Sequence, residues 1–283
     1  VTNHGHDLPG RLDQAQLARP PVSRPPDIPL LNLNTHNRPR LDEHGLTAAF
    51  FDAVLERAIQ AGLTSDEHFS VDGTLIESYA SAKSFRPIGD QGDERDEGDG
   101  NGFKPRNLAV DFHNKKRGNA THRSSTDPEA MLYRKGSGQE AKLCHIGHAL
   151  TENRHGLILG VTVSVASGMA EPAAALEMLD RLQQRHGKKP KTLGADKGYD
   201  SGPFYQQLES RGVEPHCAMI RTPPPNPKYI VRRRQAEVEA RCRMRGRLGS
   251  LEYCLSQRCR KKVEECFGWI KTIGGLADRK SVV

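Results

Sequence analysis

The sequence predicts an α/β protein built on a mixed sheet. Two β-rich runs flank the polar turn "ENRHG" within residues 142–168, which predicts a hairpin and so a pair of antiparallel strands. Helix and strand patterns then alternate through "EPAAALEMLDRLQQRHG", "KTLGAD", "GPFYQQLESRG" and "EPHCAMI". Such alternation calls for crossovers and parallel strands. A further strand pattern, "HFSVDGTLIES", precedes both, so the sheet is expected to carry both pairings.

In chain order, residues 1–40 are rich in Pro, Arg, Asn and His without periodicity, and "RPPVSRPPDIP" predicts an extended or disordered, atypical N-terminal segment. One domain is expected over 41–283. It opens with the helix "LTAAFFDAVLERAIQAG", whose Phe50, Val54 and Ala58 share a face and which stops at Gly62. The strand pattern that follows contains Asp72. A loop is expected over 86–105, because "GDQGDERDEGDGNG" is too acidic and Gly-rich to pack. The hairpin's second run, Leu157 to Val165, is nearly all apolar or β-branched and predicts a central strand. The next helix has Pro172 near its start and Gly187 at its stop. "RTPPPNPKY" breaks the pattern, a basic insertion is expected over about 221–256, and a last helix over about Gln257 to Ile273 ends at Gly274-Gly275.

Composition narrows the function. With 35% hydrophobic residues among 283 and a mean hydropathy of −0.68, the chain is polar for its length. No apolar run reaches membrane-spanning length and no signal peptide is expected. The formal charge of +7 is local. Lys228 to Lys262 holds twelve Lys/Arg against Glu237, Glu239 and Glu252, a local excess of nine. Local basicity points to nucleic acid. The six cysteines have no C-x-x-C spacing, which argues against structural zinc and for reduced thiols in a cytosolic protein.

Three carboxylates carry the chemistry. Asp72 lies on the first strand and Asp196 ends the apolar run of "TLGADKGYDS". On neighbouring strands the two would repel unless a proton or cation stood between them. Mg²⁺ suits such a pair, and two metals clamp both oxygens of a phosphoryl transfer. Glu264 and Glu265 compete for the third place. At about 100° per residue, Arg260, Glu264 and Lys271 fall within about 40° of one another. Val263, Cys266, Phe267, Ile270 and Ile273 form the adjoining apolar stripe. That favours Glu264 as ligand, with Arg260 and Lys271 on phosphate; the plainer reading is i,i+4 pairing on a surface helix. Asp200 is expected to cap the following helix. His145 and His148, three apart on a strand, point to opposite faces and are not joint ligands. Tyr199 is expected to pack beside the site, and Trp269 to dock against neighbouring structure or stack on a base.

With these residues in place, the chain resembles a DDE transposase of bacterial insertion sequences, in the broad IS4/IS5-like group. "FSVDGTLIES" resembles the family's first-aspartate strand, "GADKGYDS" its second-aspartate motif, and "RKKVEECFGWIKTIGG" its glutamate helix. The family pattern of Arg, Glu and Lys falls on Arg260, Glu264 and Lys271, with Gln257 where a Tyr often stands. "TDPEAMLYRKG" resembles another stretch of the group, and the likeness spans roughly 41–276. It implies an RNase H-like mixed sheet flanked by helices, with the basic insertion before the last catalytic helix. It implies two Mg²⁺ or Mn²⁺ ions held by Asp72, Asp196 and Glu264. Cleavage at the element's ends and joining of the 3′-hydroxyl to target DNA would follow. Double-stranded DNA would be gripped through Arg260, Lys271, Arg232, Arg233, Arg234, Lys261 and Lys262 by its backbone. A homodimer in the DNA complex and a bacterial, nucleoid-associated cytoplasmic location are implied as well.

Two other readings follow from the same residues. "VDGT" and "DKGYD" resemble the haloacid dehalogenase phosphatases, but the nucleophile position of that class is Ser70 here. A catalytically inactive, DNA-binding transposase remnant is the second. Residues 1–40 differ from the family's usual N-terminal region and the chain ends at "LADRKSVV", as in a truncated or frameshifted copy.

Overall fold

A computed structural model describes residues 41, 43–88, 118–134, 136, 138–220 and 234–272. The expectations for residues 1–40, for the loop beyond residue 88, for Arg232 and Arg233, and for the stop at Gly274-Gly275 fall outside them. By its contacts the chain divides into units 1–49 and 50–283, and the sheet lies in the second.

The sheet is centred on β1 (His68–Glu77). Antiparallel to it runs β5 (Lys142–Glu152), from Phe69↔Glu152 to Glu77↔Cys144. On the other side β7 (Thr192–Ala195) runs parallel, followed by parallel β8 (Glu214–Cys217). The hairpin is completed by β6 (Ile158–Val165) on the far edge of β5, turning at Gly156, whose φ of 74° suits a residue without Cβ. The short β4 (Met131–Tyr133) extends that edge, while β2 (Phe85–Pro87) and β3 (His122–Ser124) pair separately. Hairpin strands on one side of β1 and crossover strands on the other form the expected mixed sheet.

Among the described residues there are six α-helices of nine or more residues: α1 (Leu46–Gln60), α2 (Ala170–His186), α3 (Gly202–Ser210), α4 (Gln235–Arg247), α5 (Leu251–Cys259) and α6 (Lys262–Thr272). Residues opposite one another in an antiparallel pair share a face. Val71 and Leu150 face the main core with Ala175, Met178 and Leu179 of α2. Asp72 therefore shares the other face with Ala149, which packs against Val263, Cys266 and Phe267 of α6. The alternation of β1 thus decides that Asp72 meets the helix carrying Glu264.

Three expectations need correction. The run Leu157 to Val165 is not a central strand. Among the described residues β6 pairs only with β5, and Val161, Val163 and Val165 are exposed. Valine satisfies β propensity on an open face as well as a closed one, so the run looked more buried than it is. On α1 the buried stripe is Phe51, Leu55 and Ile59, whereas Phe50 is 72% exposed. Both stripes repeat at i,i+4, and pattern alone could not choose. The last helix is two helices, broken at Arg260–Lys261, where Val263 N and Glu264 N bond three residues back. The described part of the basic segment before the last helix is α4 and α5. Ala240 and Met244 of α4 lie in the main core, and a Cβ on Gly202 would stand 2.5 Å from the Glu237 carbonyl oxygen, so α3 and α4 touch backbone to backbone.

His148 gives the fold a pH dependence. Its Nε2 pairs with Ser164 Oγ at 2.8 Å, and burial, opposed by Glu177, lowers its pKa from 6.5 to about 4. Between these values the unfolded chain binds a proton that the folded chain refuses. Stability is full above about pH 6.5 and declines as pH falls toward 4, by roughly 3 kcal/mol at the limit. Burial lowers His68 and His216 in the same direction. Melting scans of His148→Gln should show a shallower decline across this window; an unchanged slope refutes the assignment.

Candidate active site

The last registered pair of the parallel strands β1 and β7 is Ser70↔Gly194. Two residues further along each chain come Asp72, still within β1, and Asp196, just past the end of β7. Asp72 is 8% exposed and its Oδ1 accepts from Gly73 N at 2.8 Å. Asp196 leaves the end of β7 extended and caps the 3-10 turn Lys197–Tyr199, its Oδ1 accepting from Gly198 N at 2.7 Å.

Glu264 lies at the start of α6, and a cation separates it from Asp72. Arg260 Nη1 is 3.7 Å from Asp72 Oδ2, and its Nη2 is 3.9 Å from Glu264 Oε1. These are ion pairs too long to be hydrogen bonds. The Glu264 side chain is 60% exposed. Among the described residues, no three His, Cys, Asp or Glu side chains are gathered closely enough to hold a metal as they stand. The donors nevertheless fit a hard divalent cation. All are carboxylate oxygens, Asp72 already takes a positive neighbour, and the fully buried Tyr199 hydroxyl has no hydrogen-bond partner.

Of the expected phosphate contacts, Lys271 lies in the last turn of α6 and Lys261 is exposed at the break. Lys262 Nζ donates to the carbonyls of Asn153 at 2.7 Å and Arg154 at 3.3 Å. Arg234 is exposed just before α4. Part of the basic segment is neutralised within the fold. Arg243 and Arg247 pair with Glu209, and Arg247 also with Glu214.

Arg241 pairs with Asp200, and here the expected helix cap is wrong. Ser201 stands at the cap position of α3, while the Asp200 carboxylate accepts from Tyr205 Oη, Ile220 N and Arg241. With Arg241 available, the carboxylate satisfies a buried junction instead. His145 meets Asp127 and His148 meets Ser164, so they share no ligand. Tyr199 packs beside the site and Trp269 is 59% exposed. Ser70, the position that decides against the phosphatase reading, is buried and receives a hydrogen bond from Asn153.

Sequence reading missed Glu171, in the first turn of α2. Its carboxylate oxygens lie 2.7 Å from where side chains would begin on Gly73 and on Gly198. Burial first, then the charges of Glu171, Asp72 and Asp196, push the Tyr199 phenol well above its ordinary value of 10.0. The only signal in the sequence was an acidic residue before a proline at a helix start, which is common for dipole reasons alone.

Comparison with curated proteins returns no match. Among solved structures the chain is similar to the "Mos1 transposase paired-end complex with left transposon end", at 8% identity and a TM-score of 0.26. The match covers 76% of this chain and 46% of that one, so the chain spans under half of its length. The family model described as "Transposase DDE domain" matches residues 64–281, which include Asp72, Asp196 and Glu264. The chain belongs to the transposase DDE domain family.

Proposed function

We propose that this chain cuts and joins DNA strands as the transposase of an insertion sequence, of the IS4/IS5-like group, with Asp72, Asp196 and Glu264 as the acidic triad. One observation supports the reading: Arg260, at the break before α6, lies 3.7 Å from Asp72 Oδ2 and 3.9 Å from Glu264 Oε1, while β7 runs parallel to β1 and leads into Asp196. Divalent Mg²⁺ or Mn²⁺ would be held by these carboxylates, and when bound would activate the attacking hydroxyl and stabilise the leaving oxygen. The chain's own part is orientation. The turn at Gly198 fixes Asp196, the sheet fixes Asp72, and the break at Arg260–Lys261 aims Glu264. Arg260 balances Asp72 and Glu264, and would turn to a DNA phosphate when a metal takes over that role.

Incubation of the purified chain with element-end DNA and Mg²⁺ tests the reading; nicking is expected at the element boundary. The reading as a non-cleaving DNA-binding remnant is favoured by the dispersed carboxylates. Binding without nicking, in Mg²⁺ and in Mn²⁺, would establish that alternative. Backbone contact by Arg234 and Lys261 predicts a salt signature. Replacing each by Ala should weaken binding to all sequences alike and reduce the slope of log K against log salt by about one. Domains at 1–40 and 41–283 and a homodimer on DNA belong to the same proposal.

A further inference from the structure

Glu171 approaches the catalytic end of the sheet from the face opposite Asp72. Gly73 pairs with His148 on the α2 side, and its missing side chain admits the carboxylate there. Gly198, two residues after Asp196, admits the other oxygen in the same way. Asp196 Oδ1 lies 3.0 Å, and Glu171 Oε2 2.7 Å, from the same point above Gly198, so the two oxygens are no more than 5.7 Å apart. Oxygens bound to one Mg²⁺ or Mn²⁺ at about 2.1 Å stand roughly 3–4 Å apart, which rotation of a glutamate side chain can reach. A cleft of about 320 Å³, lined by Glu171, Asp196, Thr74 and Tyr133, gives access.

Tyr199 supplies an independent observation. Its side chain is wholly buried, its hydroxyl has no hydrogen-bond partner, and the three carboxylates that act on that hydroxyl are Glu171, Asp72 and Asp196. A buried hydroxyl left alone is costly, and a cation's bound water at this end of the sheet would satisfy it. We propose that Glu171 is a fourth carboxylate of the site and ligates a divalent cation together with Asp196. The proposal rests on Asp196 being a metal ligand.

Calorimetric titration of Mn²⁺ into the metal-free chain separates the two ideas. Glu171→Gln should weaken Mn²⁺ binding by roughly tenfold or more, and Glu171→Asp should recover part of the loss. Gly73→Ala, whose Cβ would stand 2.7 Å from Glu171 Oε1 and so crowds that carboxylate without removing it, should weaken binding too. The rise in melting temperature on adding Mn²⁺ should shrink in Glu171→Gln while the metal-free melting temperature does not fall. If Asp196→Asn loses Mn²⁺ and Glu171→Gln binds as tightly as the parent, this proposal fails and the triad stands. If Asp196→Asn also binds normally, both fail. A lower metal-free melting temperature with Mn²⁺ affinity intact would make Glu171 a structural carboxylate and overturn the proposal.

Discussion

On the proposed function, replacing Asp196 by Asn should cut DNA cleavage by roughly a thousandfold or more and leave DNA binding intact or slightly tighter. Asn is the informative substitution because Asp196 has two tasks. Its Oδ1 caps the turn at Gly198, and an amide oxygen can still accept that hydrogen bond. Only the charge is lost. Charge stabilisation by a bound metal amounts to several kcal/mol, and about 4 kcal/mol corresponds to roughly a thousandfold in rate. Cleavage should therefore fall by about that factor or more. Removing a negative charge beside a phosphate backbone cannot weaken the attraction, so affinity should hold. Asp72→Asn should behave likewise, since Gly73 N would keep its acceptor. Single-turnover cleavage and a filter-binding isotherm on the same DNA are the two measurements. Undiminished cleavage by Asp196→Asn removes it from the triad.

Why Asp72 and Asp196 were legible while Glu171 was not is a matter of distance along the chain. An acidic residue ending an apolar strand stands out locally, because burial of a lone carboxylate is costly and demands a partner. Strand alternation then told which side chains share a face, and the β1–β5 register puts Asp72 on the face of Ala149, against α6, by that rule. Glu171 belongs to the site only because Gly73 and Gly198, 98 and 27 residues away from it in the sequence, lack side chains at the right places. No local pattern records such a meeting. The same limit explains α1, where Phe50–Val54 and Phe51–Leu55 offer equivalent stripes and only packing decides. It also explains the basic segment. Its positive charge is visible at once, but the acidic partners at Asp200, Glu209 and Glu214 lie on other elements.

Arg241→Ala tests that last point and should be among the most destabilising single changes in the chain. The Asp200 side chain is wholly buried and Arg241 grips it with Nε at 3.0 Å and Nη2 at 2.8 Å. Tyr205 Oη at 2.9 Å and Ile220 N at 2.7 Å complete the shell, so one carboxylate ties the start of α3 and the chain after β8 to α4. Removing the guanidinium leaves a buried anion with two neutral donors, which costs on the order of 3–5 kcal/mol. At about 2–4 °C per kcal/mol for a domain of this size, melting should drop by roughly 10 °C. The partner change discriminates between lost charge and lost packing. Asp200→Asn keeps an acceptor for Tyr205 and Ile220 while removing the charge, so the double variant Asp200→Asn with Arg241→Ala should recover a large part of the loss. Because Arg241 is spent on Asp200, the salt slope of DNA binding measured below the melting transition should not change. A fall of about one in that slope, with little change in stability, would return Arg241 to the DNA surface and leave Asp200 without its structural role.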